Sequence, residues 1–331
     1  MKELKSIKLA RVVATIFILI CHVIKYYTFV PGSAQLGQFF NVGVPMFLII
    51  SGYLYGIKAN LRDNKVTKEL RSFFVGRIIR VALPCQIWAI VLFVVTLFAY
   101  PLNTLVTVLN MQGLGWILPK VGLLEGSPWL SHTWFVTIIL LCYCLVPWLR
   151  NHYQIFSLLS LGVLYLICIG LLFIEINLTY FVLFMISYIL GAIKFDVSKI
   201  SNLICVMLIS ISLAIRLLGH HYFDSTVLYN GVIVITTHHL IAASIIVIIA
   251  NIVKKRTLVK KIVDSKITTF VDKHSYSIYI VHYAVIEVIY SNTNIVVASV
   301  LFIFSTIILA VILDGIGNYC MQFMQVNHKN N

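Results

Sequence analysis

An arginine and a histidine, Arg11 and His22, stand eleven residues apart in "KLARVVATIFILICHVIKYY", residues 8–27. The stretch is apolar enough to cross a bilayer, and an ionisable side chain there is costly unless it has work to do. On a helix, eleven residues turn through about 1100°, some 20° past whole turns, and rise about 16 Å. Arg11 and His22 therefore share a face, with Thr15 and Ile18 on the same stripe. A histidine titrates near neutrality and suits proton transfer. The competing reading is a packed imidazole bonded to a neighbouring carbonyl.

Four further stretches carry chemistry. "RIIR" places Arg77 and Arg80 three apart, on one side of a helix. Paired guanidiniums suit phosphate through forked hydrogen bonds; snorkelling to headgroups is the simpler account of this motif alone. "NVGVPMFLIISGYLYG", residues 41–56, interrupts an apolar run with Gly43, Pro45, Ser51 and Gly52. Small residues let helices approach closely, and Pro45 is expected to kink the helix. "SHTWFVTIILLCY", residues 131–143, brings His132 and Trp134 to an interface, where an aromatic belt is the plain alternative. "KHSYSIYIVHYAVIE", residues 273–287, spaces Ser275, Tyr279 and His282 at i, i+4, i+7, so that they line one polar face inside a span. Two histidine pairs remain. His220–His221 are expected in an outer loop. His238–His239 point about 100° apart, which makes no natural chelate. Asp314 is expected at the inner end of the last span, solvated or capping.

The elements that must position these residues follow from composition. The 331 residues are 60% hydrophobic and 11% charged, with mean hydropathy +0.98. A soluble domain of this length carries far more charge. The fold class is all-α, a polytopic transmembrane bundle and a single domain over 1–331. Ten spans are expected near 7–29, 36–57, 81–100, 133–150, 154–174, 178–194, 202–219, 230–253, 275–293 and 295–314. With the N-terminus inside, the inner segments hold 22 of the 25 Lys and Arg residues, all but Lys25, Lys120 and Arg216. That asymmetry puts both termini in the cytoplasm. It also explains the net charge of +14 without nucleic acid. The first apolar segment lacks a small-x-small cleavage site and reads as an uncleaved helix. Seven cysteines without C-x-x-C spacing give neither a disulfide framework nor a zinc pattern, so no metal is expected. Two connections exceed what topology needs. The basic segment 58–80 suits the anionic inner leaflet. Segment 101–132, rich in Gly, Pro and Trp, suggests an interfacial helix and a structured loop.

Taken in order, these stretches resemble the acyltransferase-3 family of integral membrane acyltransferases. R-x10-H appears as Arg11 and His22, and G-V-P-x-F-x-x-x-S-G-Y as Gly43 to Tyr53. R-x-x-R appears as Arg77 to Arg80, H-x-W-F as His132 to Phe135, and S-x-S-x-Y-x-x-H as Ser275 to His282. The similarity runs along the whole chain. Many members carry glutamates soon after H-x-W-F, where this sequence has Ile138, Ile139, Leu140 and Leu141. That departure looks like the short, stand-alone glycan O-acetylase branch. Some members fuse a periplasmic hydrolase-like domain; none is seen here, so the expectation is that this chain completes the transfer itself or hands over to a partner.

The resemblance implies a multi-pass protein of the cell (inner) membrane. Its acyl group, usually acetyl, would come from cytoplasmic acetyl-CoA and go to a hydroxyl of a surface glycan or lipid-linked oligosaccharide, as in O-antigens and capsules. It assigns His22 to catalysis, as general base or transient acyl carrier, and both roles stay open. It assigns Arg11, Arg77 and Arg80 to the donor's phosphates. Ser51, His132, Trp134, Tyr279 and His282 become substrate-binding or supporting residues. The lipid bilayer is the surrounding partner, and homo-oligomers are allowed. An exporter of surface polysaccharide is the alternative from another class. Such a protein needs a broad polar path and often inverted repeats, and no repeat is evident here.

Overall fold

A computed structural model describes residues 2–26, 32–59, 73–99, 128–174, 176–224, 226–290 and 295–327. Among them every regular element is helical. The α-helices are, in chain order, α1 Lys2–Tyr26, α2 Ser33–Phe40, α3 Gly43–Ala59, α4 Leu83–Ala99, α5 Trp134–His152, α6 Leu158–Leu171, α7 Thr179–Ala192, α8 Asn202–Phe223, α9 Val234–Lys255, α10 Thr257–Val263, α11 Lys266–Tyr290 and α12 Ile295–Asn327. Backbone polar groups are satisfied within each helix, as a lipid environment demands. Seven helices in the described residues are long and apolar enough to cross a membrane. The chain is thus an all-α, multi-pass membrane protein.

Several expected spans differ in detail. Segments 158–174 and 179–192 are apolar but shorter than a full crossing. The run expected over 36–57 is one candidate span, Gln35–Lys58, in which a turn at Asn41 and Val42 divides α2 from α3. Pro45 therefore sits in the first turn of α3, where its missing N–H costs nothing, and no kink is needed. α8 continues to Phe223, so His220 and His221 lie in its last turn rather than in a loop. α12 runs through Asp314, which neither ends the helix nor caps it. Of the two long connections, 60–72 and 101–127 lie outside the described residues. Pro128–Thr133 is 3-10 helical, and Ile78–Ala82 is π-helical.

The chain divides into two compact units, each built from two segments. The first comprises 1–63 and 145–272, the second 64–144 and 273–331. In the first unit, Ile7, Ala10 and Ala14 of α1 pack with Met46 and Ile50 of α3, Ile241 and Ile249 of α9, and Val263 of α10. Glycine sets the spacing of α3 against α7. A Cβ on Gly56 would stand 1.9 Å from the Tyr188 carbonyl oxygen, and one on Gly191 2.2 Å from that of Tyr53. The two backbones touch, as small residues permit in membrane bundles. Gly43 packs the same way on α1, against the Ala14 carbonyl and Ile18. In the second unit, α4 and α12 pack together, and the Tyr276 hydroxyl on α11 donates to the Val81 carbonyl at 2.5 Å.

Candidate active site

In the first unit, α1 is unbroken from Lys2 to Tyr26, so Arg11 and His22 do lie on one helix with the expected rise of about 16 Å. His22 is half-buried. Thr15, almost fully buried between them, donates back to the Arg11 carbonyl at 2.9 Å. Arg11 is not free for a ligand. Its Nε and Nη2 fork onto the Asp272 carboxylate at 2.7 and 3.0 Å. Lys8 reaches Thr269 Oγ1 at 2.7 Å, and Lys5 reaches Asp264 at 2.5 Å. One side of α1 is thereby laced to the segment from Asp264 to Asp272. Ser51 is half-buried on α3.

Beside α1 the same unit holds a cavity of about 260 Å³. Its wall is largely apolar, with Ile7, Ala10, Ile50 and Tyr53, and Asp196 and Lys254 also line it. Asp196 accepts from the Ser198 hydroxyl and backbone N–H, and Lys254 Nζ donates to it at 3.3 Å. The Ser198 hydroxyl, then its N–H, then Lys254, hold the Asp196 carboxyl below the usual carboxylate range.

In the second unit the structure brings together three of the expected residues, from segments almost 150 positions apart. The Tyr279 hydroxyl donates to the His132 carbonyl, and His132 Nε2 bonds the Ile280 carbonyl at 3.1 Å. His282 Nδ1 bonds the Tyr279 carbonyl at 2.6 Å, with its ring 5.1 Å from that of His132. The His132 ring also stacks on Tyr283 at 5.2 Å. All three expected residues are buried. A carbonyl only accepts, so His132 Nε2 carries a hydrogen, and in the neutral ring the lone pair rests on Nδ1. That atom is buried without a hydrogen-bond partner among the described residues. Trp134 opens α5, half-buried and edge-on to Phe135.

Arg77 and Arg80 differ in exposure. Arg77 is half-buried, its guanidinium 5.6 Å from the Phe73 ring centre and 5.8 Å from that of Tyr143. Arg80 is exposed. A π-helical turn begins at Ile78, and its wider winding replaces the α-helical i, i+3 register between them.

Two features escaped sequence reasoning. Asp314 takes the His274 ring at one carboxylate oxygen and the Ser277 hydroxyl at the other, so it is a lateral clamp on α11. Asp272, the partner of Arg11, stands three residues before Ser275. The only signal for Asp314 is an acidic residue within an apolar run, which defaults to a paired role, and Asp272 carries no such signal.

The family expected from the sequence agrees with what the chain matches. Residues 4–315 match the acyltransferase domain that defines the acyltransferase-3 family. The chain belongs to that family. It is an acyltransferase embedded in the membrane. Among curated proteins and solved structures, none matches it. In this acyltransferase the family's R-x10-H residues lie on α1 of the first unit. His132 of its H-x-W-F and Tyr279 and His282 of its S-x-S-x-Y-x-x-H form the buried knot of the second.

Proposed function

We propose that this acyltransferase moves an acetyl group from cytoplasmic acetyl-CoA to a hydroxyl of a surface glycan or its lipid-linked precursor. The observation that carries the reading is the unbroken α1, which holds His22 about 16 Å from Arg11 on one stripe. That separation suits a long, thin pantetheine arm, its charged end near the arginine and its thioester near the histidine. His22 takes the proton from the acceptor hydroxyl. The hydroxyl oxygen attacks the thioester carbonyl and forms the ester bond. The C–S bond breaks, and the CoA thiolate leaves with the proton from His22. Arg77 and Arg80 serve the donor's phosphates. Arg11, in its own unit, binds phosphate where phosphate competes with Asp272 for its fork. The His132–Tyr279–His282 knot supports the fold of its unit and the presentation of substrate.

The test is purified protein incubated with radiolabelled acetyl-CoA, with and without glycan. Label should pass to the glycan as an alkali-labile ester, and none should stay on the protein when glycan is omitted. Absence of any transfer by active, donor-binding protein would sink the reading. A label retained on wild-type protein and lost in His22→Ala would make His22 an acyl carrier instead of a base.

A further inference from the structure

Arg216 is the most buried charged side chain of the described residues, 7% exposed, on a helix whose other face is turned outward and apolar. Its neighbours Leu217 and Leu218 are 69% and 59% exposed. Its hydrogen bonds all go to neutral oxygens. Nε donates to Thr237 Oγ1 at 2.7 Å and Nη1 to the Gln38 carbonyl at 3.1 Å. Nη2 reaches the Val234 carbonyl only at 3.5 Å, longer than an ordinary bond. Among the described residues no carboxylate pairs with it.

The surroundings add positive charge and an idle acceptor. His238 Nε2 donates to the same Gln38 carbonyl at 2.8 Å. Arg216 and Lys25 both lie within electrostatic reach of His238. Lys25 stands one turn beyond His22 on α1, its side chain against Gly37 of α2. The Gln38 side-chain oxygen Oε1 is buried without a partner among the described residues. A guanidinium taken out of water without a counter-charge is expensive. A buried amide oxygen without a donor adds to that cost.

We infer that Arg216, with Lys25, forms a binding site for an anionic group of the acceptor, a carboxylate or a phosphate, and that Gln38 Oε1 accepts a hydroxyl of the same molecule. The planar guanidinium fork fits either anion, with Nη2 as the arm least committed. The inference rests on the acyl-transfer reading above only for what the bound molecule is. The site stands at the His22 end of α1, so an acceptor anchored there by its charge has its neighbouring hydroxyls near the proposed base. The acceptor is then an acidic sugar or a lipid diphosphate-linked one, and a neutral free glycan is a poor substrate.

Donor-free binding tests this without turnover. Wild-type protein in neutral-lipid nanodiscs is titrated with glucuronic acid and glucose, and with farnesyl diphosphate and farnesol, while Tm and intrinsic fluorescence are followed. At least one anion should bind where its neutral counterpart does not. Glucuronic acid alone points to an acidic sugar; the diphosphate alone points to the lipid-linked end. Arg216→Gln should weaken that binding at least tenfold and leave acetyl-CoA binding intact, and Arg216→Lys should keep part of it. Should Arg216→Gln fail to fold, Lys25→Gln reads the same loss. Equal response to charged and neutral probes, or full anion binding by both glutamine variants, overturns the inference and leaves Arg216 as a brace between α2, α8 and α9. Failed acetyl transfer with intact anion binding strikes only the enzymatic reading.

Discussion

His22 and Arg11 owe their fixed relation to one helix, and their separate tasks make separable predictions. His22→Ala should lower acyl transfer by about 10²–10⁴-fold, the usual contribution of a general base, with acetyl-CoA binding kept. Equal loss of kcat and of donor affinity would mean that the histidine only packs. Asp272→Asn removes the carboxylate that now holds Arg11. The expected result is a lower KM for acetyl-CoA, because phosphate no longer competes, together with a small loss of stability of about 1 kcal/mol or less, as for a partly exposed pair. A raised KM would make Asp272 a positioning partner that the donor site needs. For the second pair, Arg77→Lys should impair donor binding more than Arg80→Lys. Arg77 is held over two aromatic rings, where the planar guanidinium is not matched by an ammonium, whereas Arg80 is exposed. Donor titrations of the two variants decide the order.

At the scale of elements, α3 and α7 meet backbone to backbone at Gly56 and Gly191. Any Cβ there overlaps a carbonyl oxygen that cannot swing aside. Gly56→Leu should destabilise by at least the 1–3 kcal/mol typical of overpacking, read as a lower Tm in detergent. An unchanged Tm would show that α3 and α7 separate at little cost. The connection between α7 and α8 is tied by Asp196 to Ser198 and to Lys254 of α9. The Asp196 carboxyl is held low, so its tie contributes stability above the ordinary carboxylate range, near pH 4. That contribution fades as pH falls through the lower folded-state value. Asp196→Asn should therefore narrow the gap in Tm between neutral and acid pH. A Tm–pH curve that overlays wild type would place the acid sensitivity elsewhere.

For the whole molecule, orientation and activity have distinct signatures in cells. From the Lys and Arg asymmetry, the Lys199 end of α8 is expected inside and the Tyr222 end outside. In a background with the seven cysteines replaced, a membrane-impermeant maleimide should label a cysteine at 222 in whole cells and one at 199 only after lysis. The reverse pattern would invert the topology. An enzyme and an exporter also part company in the His22→Ala strain. Loss of the base leaves unmodified glycan at the surface, whereas loss of an exporter traps acylated glycan inside. Acyl content measured separately on surface and intracellular glycan distinguishes them.

Membrane class, helical content and the motif residues were legible from local properties. Apolar runs of span length and the eleven-residue spacing of Arg11 and His22 depend only on neighbouring residues and helix geometry. So did the small-residue packing at Gly43 and Gly52, where each glycine now abuts a carbonyl oxygen. Helix ends were legible less well. Hydropathy stops α8 at 219 and α12 at 314, but Gln35 bonds His220, and His274 and Ser277 satisfy Asp314, so both helices continue through polar residues. Partnerships were decided only in three dimensions. Asp272 lies 261 residues from Arg11, and Thr237 and Gln38 reach Arg216 from two other helices. A charge inside a span announces that it must be paired or used. Which partner meets it depends on how the helices pack, and that is a long-range property no local spacing encodes.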